Sequence, residues 1–119
     1  MRLALAGIFD RGIPNRERVQ LNVLADANLS YYVILDTTYI NPQGISNLLR
    51  HAFWFPPQGA KAGEQVILYT GPGLHMSQRN LFGVTVHYFY WGLKNTIWNK
   101  SGDCAVLMEL NSWATSPYG

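Results

Sequence analysis

The chain has few charged residues, a single cysteine and no long apolar run. Charged residues make up 13% of its 119 residues and the formal net charge is only +2, which is about half the usual charged share. A net charge this small does not attract nucleic acid by long-range electrostatics alone. Because Cys104 is the only cysteine, no disulfide can form within the chain. No segment approaches the roughly 20 apolar residues that a membrane helix needs.

The N-terminus, Met1–Phe9, superficially looks like a secretion signal. Its apolar run is too short for that, and Asp10 and Arg11 follow where small cleavage-site residues would stand. We therefore interpret it as a first strand and expect a cytoplasmic protein with no membrane partner. Apolar residues at 48% argue against disorder. With no repeat and no linker, we predict a single domain over residues 1–119.

Strand signals recur along the chain, whereas helical signals are poor. Short runs of β-branched and aromatic residues alternate with Gly, Pro, Asn and Asp. The best helical candidate is Ile45–His51, and turns are predicted at Asn41–Gly44 and Pro56–Gly59. The pattern indicates an all-β protein, an immunoglobulin-like β-sandwich of about 7–9 strands. The predicted strands are Arg2–Phe9, Arg18–Leu24, Tyr31–Leu35, Ala52–Phe55, Glu64–Thr70, Val84–Tyr90 and Cys104–Leu110.

Several segments, in the same order, resemble the motifs of bacterial lamin tail domains, which are immunoglobulin-like modules. Asn28–Ile34 is similar to the family's Asp-Leu-Ser-Gly-Trp-x-Leu signature, with Tyr32 at the Trp position. Tyr31 stands where the family has Gly, so the turn there must be built differently. The resemblance implies an accessory structural or binding role. The other matching segments are Glu17–Leu21, Phe53–Pro56, Ala62–Glu64, Val66–Gly71, Tyr90–Gly92 and Ile97–Asp103.

Within these motifs we assign mechanical roles. An aromatic such as Tyr32, just past a turn, can fill the gap between two sheets. Phe55 followed by Pro56 ends a buried strand, because proline removes a donor. Gly63 permits a turn, and Asp103 can accept N–H bonds within its own turn. The residues predicted to hold the fold are Tyr32, Phe55, Pro56, Gly63, Trp98 and Asp103.

Catalytic and metal chemistry find little support in the sequence. His51, His75 and His87 match no zinc-binding spacing, and Cys104 opens an apolar strand as a small buried hydrophobe. The carboxylates are scattered, and Gly71-Pro72-Gly73 lacks the lysine and helix of a phosphate loop. We expect no enzyme, no metal and no cofactor. A small metal-dependent hydrolase stays open only if the three histidines converge.

A binding role is the favoured interpretation, as a protein-interaction or scaffold module that presents loops on a β-sandwich. Specificity is expected in the two long segments Leu35–His51 and Pro72–His87, since loops carry binding. The run His87–Trp91 is aromatic on both faces, so it is either buried on both sides or covered by a partner. A protein is the expected partner, with a homodimer as one form.

The alternative is a nucleic-acid or glycan-binding module that uses aromatic and basic residues near the 72–98 region. Exposed aromatic rings there would offer stacking faces worth roughly 1–3 kcal/mol per base. The candidate binding residues are His75, Arg79, Tyr88, Tyr90, Trp91 and Lys94.

Overall fold

The computed structural model describes residues 1–41, 44–99 and 101–118. Most of its secondary structure consists of short β-strands. The predicted turn Asn41–Gly44 contains Pro42 and Gln43, which lie outside the described residues. The elements in chain order are β1 (Leu3–Phe9), β2 (Arg18–Val23), β3 (Ala27–Asn28), a 3-10 turn (Leu29–Tyr31), β4 (Tyr32–Asn41), β5 (Gly44–Ile45), β6 (Ala52–Trp54), β7 (Gly59–Ala60), β8 (Gln65–Tyr69), β9 (Met76–Arg79), β10 (Thr85–Tyr90) and β11 (Asp103–Glu109).

All seven predicted strands are confirmed, as β1, β2, β4, β6, β8, β10 and β11. Their alternating or continuous apolar residues are visible in the sequence because all of these strands except β6 contain buried residues. β4 is longer than predicted, since it continues to Asn41. The strands that were missed, β3, β5, β7 and β9, are only two to four residues long. Segments this short have no period to detect.

The helix predicted over Ile45–His51 is wrong. Gly44 and Ile45 form β5 against β4. Beyond β5, the Ser46 N–H donates to the Thr38 carbonyl at 2.8 Å, and the Thr37 hydroxyl donates to the Ser46 carbonyl at 2.7 Å. These bonds hold the segment extended beside β4, so tertiary pairing outweighs a weak helical propensity.

Two sheets face each other in the molecule. The first has five strands in the order β1-β2-β8-β10-β9, and the second joins β11, β4 and β5, with β6 also paired to β4. β3 and β7 form a separate two-stranded sheet. Neighbours in the first sheet are antiparallel except β8 and β10, which run parallel because β9, between them in sequence, lies outside β10. The predicted all-β sandwich is confirmed, while its immunoglobulin-like character stays a prediction.

The inner faces of the sheets meet in an apolar core. Tyr32, Phe55 and Trp98 are its largest fully buried side chains. The Phe55 ring meets Phe89 edge-on with centroids 5.1 Å apart, a favoured aromatic geometry. Burying a side chain of this size contributes about 1.5–3 kcal/mol. The other members are Leu3, Val19, Leu21, Val23, Leu29, Ile34, Ala60, Val66 and Leu68.

The turn before Tyr32 is built around Asn28 in place of a glycine. The Asn28 side-chain oxygen accepts from the Ser30 N–H at 3.0 Å and caps the 3-10 turn Leu29–Tyr31. Tyr32 then enters the core, and its hydroxyl donates to the Glu109 carboxylate. An Asx cap thus builds this turn without a glycine.

A buried carboxylate ties several chain segments together at one end of the sandwich. Glu17 is 1% exposed. Its Oε2 accepts from the N–H groups of Gly12 at 2.8 Å and Trp98 at 3.1 Å. Its Oε1 accepts from the Thr70 hydroxyl at 2.8 Å and the Ile97 N–H at 2.9 Å. Four donors therefore depend on one side chain, and a buried donor without an acceptor is costly.

Replacing Glu17 by Ala is expected to lower the free energy of unfolding by roughly 3 kcal/mol or more, because three backbone N–H groups lose their acceptor. Urea unfolding followed by tryptophan fluorescence measures it. Glu109→Ala is the matched control, since that exposed carboxylate accepts from the Tyr32 hydroxyl, and its loss should cost about 1 kcal/mol. Equal losses in the two variants would contradict the role assigned to Glu17.

Candidate functional site

The segment Pro72–His87, where specificity was expected, contains an edge strand and most of a hairpin. β9 pairs antiparallel with β10, with Ser77 opposite His87 and Arg79 opposite Thr85. β9 is the last strand of the five-stranded sheet and is exposed at all four positions. One edge of its backbone is therefore available for pairing, as on other edge strands.

The tip of this hairpin is a rigid turn that displays two apolar side chains. The Asn80 side-chain oxygen accepts from the N–H groups of Phe82 at 2.9 Å and Val84 at 3.0 Å. The Gly83 N–H donates to the Asn80 carbonyl at 3.0 Å, and Gly83 adopts φ +75°, a conformation that favours glycine. Leu81 is 101% and Phe82 89% exposed. We call Leu81 and Phe82 the hairpin tip.

At the base of the hairpin, a hydrogen-bonded chain joins Ser77, His87 and Glu64. The Ser77 hydroxyl lies 2.6 Å from His87 Nδ1, and His87 Nε2 lies 2.8 Å from Glu64 Oε1. His87 is buried, Ser77 is exposed, and Glu64 is partly buried. We call these three residues the Ser–His–Glu chain.

The environment of Glu64 sets the tautomer of the imidazole. The Lys61 N–H, 2.9 Å from Oε1, and then the His87 ring lower the pKa of the Glu64 carboxyl. An ionised carboxylate only accepts hydrogen bonds, so His87 carries a proton on Nε2. When the ring carries only that proton, Nδ1 is an acceptor for the Ser77 hydroxyl, 2.6 Å away. Sequence reasoning missed Ser77 and Glu64, because neither lies near His87 in sequence.

The three histidines lie in different places. His51 Nδ1 is 3.1 Å from the buried Asp36 carboxylate, while His75 Nδ1 accepts from the Tyr90 N–H at 3.1 Å. The His75 ring also packs at 5.2 Å from Phe89. Within residues 1–41, 44–99 and 101–118, no three His, Cys, Asp or Glu side chains are grouped to hold a metal ion.

Tyr88 and Tyr90 lie on the outer face of the five-stranded sheet, both half-buried. The Tyr90 ring stacks on Tyr69 with centroids 5.2 Å apart and planes 10° apart. Gly73 also packs against that ring, because a Cβ added there would overlap Tyr90 Cδ1. Tyr90 thus packs against Tyr69 and Gly73 of the chain itself, whereas Tyr88 pairs across from the exposed Met76.

The remaining candidate binding residues are dispersed. Trp91 packs inward against Phe53 at 5.9 Å and Trp98 at 6.3 Å, and Trp98 is fully buried, so neither offers an open stacking face. Arg79 is exposed on β9. Lys94 lines a polar cavity of about 370 Å³ at the end of the sandwich that carries Glu17. Arg79 thus lies opposite the start of β10 and Lys94 follows the end of that strand, whereas His75 and Tyr90 are in contact beside Trp91.

Many of the basic side chains bond within the molecule. Arg16 and Arg18 both meet the Asp10 carboxylate, at 3.4 and 2.7 Å, and their bonding lowers the pKa of that carboxyl, with the Arg18 hydrogen bond as the largest cause. Arg2 donates to the Asp26 carbonyl at 3.0 Å, and Arg11 donates to the Asp103 carbonyl at 3.0 Å. Lys100 lies outside the described residues. This pairing does not favour a continuous phosphate-binding surface.

Asp103 has a wider role than the local turn assigned to it. Its carboxylate lies 3.4 Å from Arg50 Nη2, and Arg50 Nε lies 3.4 Å from the Asp36 carboxylate. Arg50 thus links β4 to β11 through two buried acids. Beside them, burial and then the Asp103 charge raise the pKa of the Cys104 thiol, which disfavours the reactive thiolate.

The other residues assigned to the fold lie as follows. Phe55 is buried directly after β6 and Pro56 follows it, half-buried. Gly63 adopts φ +90° in the turn before β8, a conformation that a residue with a Cβ adopts only under strain. Its N–H donates to the Val23 carbonyl at 2.9 Å, which ties this turn to the end of β2.

An aromatic groove of about 500 Å³ lies outside the predicted region. The Trp54 and Trp113 rings meet edge-on at 4.7 Å, and Tyr31 beside them is more than half exposed. None of the described residues that line it is charged. They are Ser30, Tyr31, Trp54, Phe55, Pro56, Pro57 and Trp113.

Comparison with known proteins identifies no relative: no family model, no curated protein and no solved structure matches the chain. The resemblance to lamin tail domains therefore stays a prediction. Across the part of the chain that the structure describes, no helix has the length and apolarity needed to cross a membrane.

Gly73→Ala is expected to lower the free energy of unfolding by about 1–3 kcal/mol, because the new methyl group overlaps the Tyr90 ring. Thermal unfolding monitored by circular dichroism measures the change. Gly59→Ala is the matched control: nothing lies within 4 Å of its added Cβ, so its effect should be small. A Gly73→Ala variant as stable as the native chain would mean that Gly73 does not pack against the Tyr90 ring.

Proposed function

We propose that this chain is a protein-interaction module whose binding element is the β9–β10 hairpin. The observation that carries the proposal is the hairpin tip, where Leu81 and Phe82 are almost wholly exposed. Covering a side chain of either kind contributes about 1.5–3 kcal/mol, so a partner with an apolar cleft gains from both together.

The rigidity of the tip supports this role. Asn80 and Gly83 fix the turn through local hydrogen bonds and a positive φ. Binding an element that is already ordered avoids the entropy cost of ordering it, so more of the contact energy appears as affinity. A flexible loop with the same two residues would bind less tightly.

The surroundings of the tip support a protein partner over a nucleic acid. Leu74 and Met76 are also exposed on the same segment, and Arg79 is the one charged residue of β9. An open strand edge with apolar neighbours suits pairing with another polypeptide, by backbone hydrogen bonds and side-chain contacts. A homodimer would use this edge. The earlier candidate, the aromatic run His87–Trp91, lies mostly on β10 between two other strands.

The double variant Leu81→Ser, Phe82→Ser is expected to lose the partner, because serine removes the apolar contact and leaves the turn bonds intact. Affinity capture from the native cells with quantitative mass spectrometry measures this. Leu48→Ser is the matched control, since Leu48 is exposed on a different segment. Proteins retained by the native chain and by the control, and lost by the double variant, are the expected partners.

Sedimentation of the purified native chain over a range of concentrations gives the second measurement. Self-association that the double variant abolishes identifies a second copy of this chain as the partner. If the native chain is monomeric and all three forms retain the same proteins, the hairpin tip is not a binding element.

A second candidate function, glycan binding, is favoured by the aromatic groove. Exposed Tyr31, Trp54 and Trp113 side chains offer apolar ring faces, and an uncharged lining suits a neutral ligand with a few polar contacts. A glycan bound there would lie on a different surface from the 72–98 region.

Neutral oligosaccharides are expected to bind this groove with little dependence on salt, because no charge takes part. Titration calorimetry against a panel of such sugars measures binding. Trp113→Ala should weaken it at least about tenfold, by removing one ring face. Binding that Trp113→Ala and Trp54→Ala leave unchanged would place the sugar elsewhere.

A further inference from the structure

The Ser–His–Glu chain has the order of groups that activates a serine hydroxyl. A carboxylate orients an imidazole, and the imidazole accepts the hydroxyl proton when the oxygen attacks. Glu64, His87 and Ser77 stand in that order, with links of 2.8 and 2.6 Å between them. The two ring nitrogens have exchanged roles relative to the familiar serine hydrolases, but either nitrogen of a neutral imidazole can act as the base.

Burial differs between the members of the Ser–His–Glu chain. An activated serine needs a shielded base and an accessible nucleophile. His87 is buried, so its ring is shielded from competing water, whereas Ser77 is an exposed residue on the edge strand. An incoming molecule reaches Ser77 from solvent.

We propose that Ser77 is an activated nucleophile that takes an acyl group from a carboxylic ester. Ser77 Oγ bonds to the ester carbonyl carbon while its proton passes to His87 Nδ1. The carbon–oxygen bond to the alcohol then breaks, and the alcohol leaves with that proton. Water next attacks the acyl-serine, giving its proton to Nδ1, and Ser77 recovers a proton as the carboxylic acid departs.

Arg79 adds charge stabilisation at the same place. Residues two apart on a strand project to the same face, so Arg79 and Ser77 both lie on the side of β9 that carries His87. A guanidinium there stabilises the negative oxygen that develops on the carbonyl during attack. The open surroundings of Ser77 favour a small ester, or an ester at the end of a longer molecule.

Acetylation by p-nitrophenyl acetate tests the proposal in the native chain. Peptide mass spectrometry after short exposure compares Ser77 with Ser46, whose hydroxyl oxygen accepts from the Leu48 N–H, and with Ser112. Among the described residues, neither of these two serines is bonded to an imidazole. We expect Ser77 to be acetylated at least about 100-fold faster, the usual gain from a positioned base. Equal acetylation of these serines, or none at Ser77, overturns the proposal, and this comparison needs no variant to fold.

Variants then distinguish a Ser77 that His87 activates from a Ser77 that is acetylated only because it is exposed. Glu64→Gln should slow Ser77 acetylation about 100-fold, because the amide can donate to Nε2 and leave a proton on Nδ1 facing the hydroxyl. Glu109→Gln is the matched control, since it makes the same change in a carboxylate on β11 that contacts Tyr32 and not His87. An unchanged rate in Glu64→Gln contradicts the proposal.

The site is independent of the proposed binding function. The double variant Leu81→Ser, Phe82→Ser should keep fast acetylation of Ser77, and Ser77→Ala should keep the partner. Loss of acetylation in the double variant would contradict the assignment to the Ser–His–Glu chain. Failure of partner capture alone leaves the serine assignment in place.

Discussion

One buried carboxylate, that of Glu17, organises the end of the sandwich on which the rest depends. It precedes β2, accepts from the hydroxyl of Thr70 directly after β8, and accepts from the N–H groups of Ile97 and Trp98 in the connection from β10 to β11. One carboxylate thus ties two strands of the first sheet to the segment that leads into the second. Since β8 and β10 run parallel, both finish here, and the hairpin tip projects from the opposite end. The end of the sandwich that Glu17 stabilises is therefore opposite the end that presents the hairpin tip.

The parallel pairing of β8 and β10 also decides which side chains meet. His87 lies beside Val66, and Glu64 lies two residues before Val66 on the same face. With β8 and β10 antiparallel, as in a simple hairpin, the start of β8 would lie beside the end of β10, and Glu64 would be near Tyr90. The extra strand β9 produces the parallel arrangement, and it also supplies Ser77. One topological feature therefore accounts for both the Ser–His–Glu chain and the hairpin.

Much of the fold was predictable from period-2 patterns, and little of the site was. The strand Gln65–Tyr69 stands out because it is buried on both faces, and Phe55 followed by Pro56 marks a strand end. The edge strand Met76–Arg79 has no apolar alternation, since none of its side chains is buried. Contacts such as Ser77 with His87, or Glu17 with Trp98, join residues distant in sequence. No local pattern encodes those contacts, because they depend on the strand order.

The edge strand β9 and the hairpin tip explain how one hairpin can carry both the proposed binding surface and the proposed nucleophile Ser77. Met76 lies on the outer face of β9 and Leu81 beyond its end, while Ser77 faces the side of His87. A partner that covers the tip, or that pairs with the backbone edge, need not occupy the space above the Ser77 hydroxyl. Alternation along the strand separates the two surfaces by about the thickness of the sheet. Substitutions at the hairpin tip would therefore change the partner without disturbing the hydrogen bonds of His87.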